Sequence, residues 1–229
     1  MASIAANLQA VRDRIARAAR AAQRDPGEIL LLAVSKTFPA GCIAEAFAAG
    51  QMAFGENHAQ EAVEKITVLA ALPLEWHFIG PIQSNKTRLI AERFGWVHSV
   101  ERENIAQRLN ASRPAGMPPL NVCIQVNVSG EATKSGVAPG AEAMLADAIA
   151  RLPRLKLRGL MTIPEPTADV MLQRRRFALL RELGDGLRAR GHALDTLSMG
   201  MTDDFEAAIL EGATIVRIGT AVFGPRHKS

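Results

Sequence analysis

Residues 29–37 read Ile-Leu-Leu-Leu-Ala-Val-Ser-Lys-Thr. The stretch Ile29–Val34 is the longest purely apolar run in the chain. It reads as a strand closed by Ser35 and Lys36. The residues just past this strand decide between two α/β architectures. A doubly wound open sheet wants a glycine-rich phosphate turn after its first strand, and Ser35-Lys36-Thr37-Phe38 is not one.

Outward from this run, short apolar segments alternate with helical stretches. The further strand candidates are Met52–Gly55, Leu74–Gly80, Trp96–Val100, Asn121–Val128, Lys156–Ile163, Thr196–Gly200 and Thr214–Phe223. Between them lie candidate helices at Gly41–Ala49, Ala59–Ala71, Ser84–Phe94, Arg102–Ser112, Ala141–Leu152, Thr167–Arg190 and Asp203–Glu211. Before them, Ile4, Leu8, Val11, Ile15 and Ala19 recur at helical spacing and predict an amphipathic opening helix over 3–22. Eight strands, seven intervening helices and one preceding helix predict a single (β/α)8 barrel of the TIM type with an extra N-terminal helix. No linker, repeat or low-complexity tract divides the chain, so residues 1–229 read as one domain.

Alternation along the strands sorts their faces. Leu30, Leu32, Val34 and Lys36 share one side, and Leu31, Ala33 and Ser35 the other. In the fifth strand Cys123, Gln125 and Asn127 are the inward set. In the seventh they are Thr196, Ser198 and Gly200, and in the eighth Ile215, Arg217 and Gly219. The strands' C-terminal ends thus collect Lys36, Asn57, His77, Asn127, Ser198 and Arg217 at the mouth where such barrels place their active sites.

Composition narrows the function classes. The 229 residues are 48% hydrophobic and 22% charged, which is a globular balance. The net charge is +4, with 27 basic against 23 acidic residues interspersed along the chain. The densest run, Arg174-Arg175-Arg176, points three ways around a helix, so it reads as a solvated face and not as a nucleic-acid stripe. No apolar segment suits a signal peptide or a membrane span. Cys42 and Cys123 have no metal-ligand spacing and read as free thiols of a reducing compartment, which predicts a cytoplasmic protein. No long apolar face calls for a second copy, so a monomer is expected. The tyrosine count is zero, which excludes a phenol as acid or base.

Lys36 carries the sharpest chemistry. A lysine partly withdrawn from water loses proton affinity, and its neutral amine attacks aldehydes to give a Schiff base. A lysine snorkelling from a strand end is the plainer alternative. A second constellation lies after the last two strands: Ser198-Met199-Gly200-Met201-Thr202-Asp203 and Arg217-Ile218-Gly219-Thr220. Barrels often bind phosphate there. Gly200 and Gly219 would let backbone N–H groups approach an anion, and Ser198 and Thr220 would add hydroxyl donors. Ordinary strand-to-loop turns are the alternative for each segment alone. Asp203 is a candidate N-cap with Glu206 as its capping-box partner. His77 and residues 83–86 read as a carboxylate clamp or, more simply, as a satisfied inward histidine and a helix start. His227 and Lys228 read as solvated ends. A lysine on strand one with a phosphate cradle after strands seven and eight describes a pocket for a phosphorylated aldehyde.

Six segments carry a resemblance. They are Ala-Val-Ser-Lys-Thr (33–37), Phe-Gly-Glu-Asn (54–57), Trp-His-Phe-Ile-Gly-Pro-Ile-Gln-Ser-Asn-Lys (76–86), Gly-Leu-Met-Thr-Ile-Pro (159–164), Ser-Met-Gly-Met-Thr-Asp-Asp (198–204) and Val-Arg-Ile-Gly-Thr-Ala-Val-Phe-Gly (216–224). Taken in order, the chain from about residue 4 to 224 resembles the pyridoxal phosphate homeostasis protein family, whose barrel is shared with the alanine racemase N-terminal domain. The resemblance implies that pyridoxal 5′-phosphate is bound covalently to Lys36. It implies that Ser198, Gly219 and Thr220 hold the phosphate, that Arg217 faces the pyridine nitrogen, that Asn57 lies beside the ring, and that Met161 packs near it. Family members often have tyrosine after the Glu-Asn pair, where this chain has His58. The expectation is a non-catalytic protein of intracellular pyridoxal phosphate homeostasis. Its partners would be the small-molecule cofactor and, transiently, apo-enzymes, with no nucleic acid and no membrane. A weak amino-acid racemase or decarboxylase-like enzyme is the alternative, and a Schiff-base aldolase acting on a phosphosugar is a third reading. The related racemases use a lysine and a tyrosine from a second domain, and this chain is expected to have neither that domain nor any tyrosine.

Overall fold

The computed structural model describes residues 3–131 and 135–225. Lys134, His227 and Lys228 lie outside the described residues. Eight parallel strands, each paired with its sequence neighbour and β1 with β8, close into a barrel. The elements are α1 (Ile4–Ala21), β1 (Leu30–Val34), α2 (Ala40–Ala48), β2 (Ala53–Glu56), α3 (Ala59–Val68), β3 (Glu75–Phe78), α4 (Thr87–Arg93), β4 (Trp96–Val100) and α5 (Glu103–Ser112). They continue with β5 (Leu120–Gln125), α6 (Glu142–Ala150), β6 (Leu155–Met161), α7 (Val170–Ala189), β7 (Thr196–Ser198), α8 (Phe205–Leu210), β8 (Ile215–Ile218) and α9 (Thr220–Phe223). Among the described residues no helix is long and apolar enough to cross a membrane.

Helix α1 forms because Ile4, Leu8, Val11, Ile15, Ala18 and Ala19 make one apolar stripe, and all six are buried. Ser3 caps it by accepting from Ala6 N–H. It packs on α8, α9 and α2, which closes the helical ring where the chain returns to β1. Each fully buried leucine or isoleucine on such a stripe contributes roughly 1.5–3 kcal/mol.

The sorting of strand faces holds. Leu31, Ala33, Val216, Ile218, Leu197 and Met199 belong to the large core between strands and helices. Leu32, Val34 and Ile215 point into the barrel with Ala53 and Ile79. Cys123 and Met161 join Trp96 in a second interior cluster. The rest of the barrel axis is polar: His77, His98, Ser198 and Arg217 are all buried.

Several boundaries differ from the sequence reading. The eighth strand ends at Ile218, not Phe223, because Gly219 turns the chain into the short helix α9. Residues 84–94 divide into a 3-10 turn, Ser84–Lys86, and α4. Helix α7 begins at Val170, where the Asp169 carboxylate accepts from Met171 and Leu172 N–H. The capping box at Asp203 and Glu206 is absent. Asp204 occupies the N-cap and its carboxylate accepts instead from Met201 N–H at 2.6 Å. Glu206 pairs with Arg14 across the α1–α8 contact. Asn127 lies past the end of β5.

Candidate functional site

At the C-terminal mouth of the barrel a cavity of about 160 Å³ is lined by residues from six strand ends. Lys36 follows β1, Asn57 follows β2, and Arg217 sits within β8. Gly219 and Thr220 follow β8, and Met201 and Thr202 come from the loop after β7. Val34, Ile79 and Ile163 supply apolar walls. Among the described residues, two basic side chains and no carboxylate line this space. A larger hollow, about 630 Å³, lies near the strand N-termini, where Arg12, Asp13 and Glu28 mix both signs of charge. That is the end of a barrel associated with stability and not with chemistry.

Lys36 is presented by an unusual backbone. Thr37, its neighbour, has φ of +68°, a left-handed conformation that costs a non-glycine residue about 1–2 kcal/mol. The turn is held by α3 from outside the barrel. Glu61 accepts from Thr37 N–H at 2.7 Å, and Lys65 donates to Ser35 O at 2.9 Å. Lys65 also donates to Glu56 at 2.8 Å and Glu61 at 2.6 Å, while Ser35 Oγ donates to Glu56 at 2.6 Å. Alternation explains the arrangement: Ser35 and Glu56 face the helices while Lys36 faces the mouth. Burial holds the Glu56 carboxyl above the usual range against the pull of Lys65 and Ser35. Burial also acts on Glu61, but the hydrogen bonds from Lys65 and Thr37 outweigh it and bring that group below.

Arg217 is buried beneath the cavity. Its Nη1 donates to Ser198 Oγ at 2.8 Å and its Nη2 to Thr162 O at 2.7 Å. Among the described residues no carboxylate pairs with it. Burial brings its pKa down to about 10, opposed by the charge of Asp204, so it stays protonated at neutral pH. Beyond Ser198, His98 and His77 continue the polar line, and burial lowers the pKa of both, that of His98 well below the ordinary value. Asn57 Oδ1 is buried without a hydrogen-bond partner. An orphaned acceptor of this kind, in a wall shared with Lys36 and Arg217, suits a ligand that brings a donor.

The structure therefore brings together Lys36, Asn57, Arg217, Gly219 and Thr220. It does not bring Met161, Ser198 or Gly200 to the cavity wall. Met161 packs with Trp96 and Cys123 in the barrel interior. Ser198 lies deeper, engaged by both His98 and Arg217. Gly200 is glycine for a packing reason: its φ is +94°, and a Cβ there would lie 2.7 Å from Ala208 Cβ and 2.9 Å from Phe205 Cα. His77 is an inward, hydrogen-bonded histidine and not a clamp at the mouth. The sequence reading missed Thr202, Met201 and His98. The first two stand inside the segment 198–204, just past a strand that ends sooner than expected. His98 stands in an apolar run, and nothing local marks it.

Known proteins share this fold and much of this sequence. Residues 6–227 match the family "Alanine racemase, N-terminal domain". The chain is 64% identical over 226 residues to a pyridoxal phosphate homeostasis protein of Pseudomonas aeruginosa, covering 99% of this chain and 97% of that one. It is 54% identical over 235 residues to that of Escherichia coli, covering 100% and 99%. Among solved structures it is similar to PipY of Synechococcus elongatus with pyridoxal phosphate (PLP) bound, at 35% identity and a TM-score of 0.84, covering 97% of this chain and 100% of that one.

Proposed function

This chain belongs to the pyridoxal phosphate homeostasis protein family, and from that premise we propose that it binds pyridoxal 5′-phosphate in the Lys36–Arg217 cavity and buffers or carries it without robust catalysis. The observation that carries this reading is the mouth cavity itself. It holds two basic side chains and an orphaned acceptor on Asn57, with no carboxylate among the described lining residues, a lining that suits an anionic ligand with polar groups of its own.

In this reading Lys36 would hold the cofactor covalently through its amine, as a Schiff base. Thr202, Gly219 and Thr220 hold the phosphate with hydroxyls and main-chain N–H groups. Thr202 takes the part that the resemblance gave to Ser198. Arg217 donates toward the pyridine nitrogen, and Asn57 lies beside the ring. When bound, the cofactor supplies an electron-withdrawing ring that activates bonds next to an attached amine. Arg217 limits that power, because a protonated guanidinium gives a hydrogen bond and no proton. Lys36 is one proton carrier, and among the described residues no histidine or carboxylate lines the cavity to return a proton from the opposite face. We place the protein in the cytoplasm as a monomer that meets apo-enzymes only transiently.

Purified protein incubated with pyridoxal phosphate is expected to show a visible band that Lys36→Ala abolishes; an unchanged band would move the attachment elsewhere. Arg217→Met is expected to weaken retention. Single-enantiomer amino acids in deuterium oxide test the racemase alternative, and racemisation at enzyme-like turnover would overturn the carrier reading. Transfer to an unrelated apo-enzyme, measured with and without trapping of free aldehyde, separates carrying from simple release.

A further inference from the structure

A buried polar chain runs along the barrel axis to the cavity. Arg217 Nη1 lies 2.8 Å from Ser198 Oγ, which lies 2.8 Å from His98 Nδ1. His98 Nε2 lies 2.9 Å from His77 Nδ1, and His77 Nε2 faces Glu75 Oε1 at 3.7 Å. Glu75 is half-exposed at the start of β3 and also accepts from Trp96 Nε1 at 2.6 Å.

Donor and acceptor capacities allow one direction that satisfies Ser198, His98 and His77 Nδ1; His77 Nε2 has no hydrogen-bond partner and faces the Glu75 carboxylate at 3.7 Å. Arg217 has only donors, so Ser198 Oγ accepts from it. The serine proton then goes to His98 Nδ1, which leaves His98 Nε2–H to donate to His77 Nδ1. His77 Nε2–H is thereby turned toward the Glu75 carboxylate. Reversing the chain would strand the serine proton and aim the bare Nε2 lone pair of His77 at an anion. TIM-barrel interiors are mostly filled by branched apolar residues, and burying four polar groups in their place has a desolvation cost. In this barrel the chain ends on Arg217, the one guanidinium lining the cavity among the described residues.

We propose that Ser198, His98 and His77 are positioning residues for Arg217. They form a one-way hydrogen-bond chain that holds both imidazoles as Nε2–H tautomers and presents the guanidinium to the cavity as a fixed donor. Its meaning for the cofactor rests on the proposed function; its direction does not. Two-bond ¹H–¹⁵N correlation on histidine-labelled protein without cofactor reads the direction. Both Nδ1 atoms are expected bare and both Nε2 atoms protonated. In Ser198→Ala, His98 is expected to populate both tautomers. A protonated His98 Nδ1 in the wild type, or an unchanged tautomer in Ser198→Ala, overturns the proposal, and the wild-type measurement decides even if the variant does not fold. With pyridoxal phosphate added, Ser198→Ala is expected to keep the Lys36-dependent band but bind about tenfold more weakly, since a hydrogen bond to a charged group is lost. Ser198→Thr is expected to restore binding. Equal affinity in wild type and Ser198→Ala, with the band intact, defeats the chain's role while leaving the cofactor reading standing. Absence of any band in the wild type defeats the cofactor reading, and the tautomers then still decide the chain.

Discussion

Lys65→Met tests whether the turn bearing Lys36 is held from behind by a buried charge cluster. Lys65 Nζ donates to Glu56, Glu61 and Ser35 O, and the Glu56 side chain is fully buried. Methionine preserves much of the stem and removes the charge. Glu56 is then left with the Ser35 hydroxyl as its remaining donor. Stranding one member of a buried pair costs about 3–5 kcal/mol, a large share of a total stability of roughly 5–15 kcal/mol. The deficit depends on pH with a definite sign. Burial holds the folded-state pKa of Glu56 above 4.5, so its ionisation opposes folding as pH rises past the unfolded value. The hydrogen bond and charge of Lys65 are what restrain that rise, so the variant's value moves further up. Its deficit therefore grows from pH 5 toward pH 8, by at most about 1.4 kcal/mol per pH unit, until the carboxyl ionises in the folded state. Glu61 acts in the opposite sense. Its folded pKa lies below 4.5, so its contribution is present above that value and is lost only as pH falls through the folded value. Urea unfolding at pH 8 and pH 5 reads the difference, and Glu56→Gln/Lys65→Met is expected to recover most of the loss by removing the stranded charge. A deficit under about 1 kcal/mol at pH 8, or one that does not shrink at pH 5, would refute the reasoning.

Three further outcomes rest on particular residues. Cys123 is fully buried and its thiol is pushed up to about 12, whereas Cys42 is half-buried, so native protein is expected to alkylate at Cys42 and release Cys123 only on unfolding; equal native rates would contradict the burial. Gln23 ends α1 with φ of +56°, and Gln23 and Arg24 N–H close the helix on Arg20 and Ala19 O, so Gln23→Gly is expected to raise stability by about 0.5–1 kcal/mol in thermal unfolding. A Cβ on Gly80 would stand 2.2 Å from Asn57 O, so Gly80→Ala is expected to cost about 1–3 kcal/mol and to weaken pyridoxal phosphate retention together; a stable variant with normal retention would separate Asn57 from the site.

Most of the fold was legible because a parallel barrel writes itself as apolar runs at regular spacing, and alternation then assigns faces. Lys36, Asn57 and Arg217 were legible for the same reason, as polar residues at or near strand ends. What was not legible depended on where strands stop. Gly219 and Gly200 both read as places where backbone approaches an anion, yet the first turns β8 into a short helix at the cavity and the second fits under Phe205. Because β7 ends at Ser198, the mouth is reached by Met201 and Thr202 and not by Ser198 itself. Lys65 stands one helical turn after Glu61 on α3, a spacing that pairs them, but the Glu56 carboxylate comes from β2 and joins them only through the fold. His98 and His77 are 21 residues apart in sequence and meet only through barrel closure.

The two cations of the cavity are built in different ways, and the difference bears on what the site can do. Lys36 belongs to a turn with a left-handed threonine, held on the outer side by Glu56, Glu61 and Lys65. Strain of about 1–2 kcal/mol persists only where surrounding contacts over-determine it. Arg217 is held from the inner side by Ser198 and Thr162 O, with no carboxylate paired to it among the described residues. One network approaches from the helices and the other along the axis, and no hydrogen bond joins them among the described residues. Loss of one anchor should therefore leave the other in place. Lys65→Met would disturb the proposed covalent attachment at Lys36 while leaving the tautomers of His77 and His98 unchanged, and Ser198→Ala would do the reverse. A double variant whose effects on retention depart from additivity by much more than about 0.5 kcal/mol would show that the two supports are coupled through the cavity.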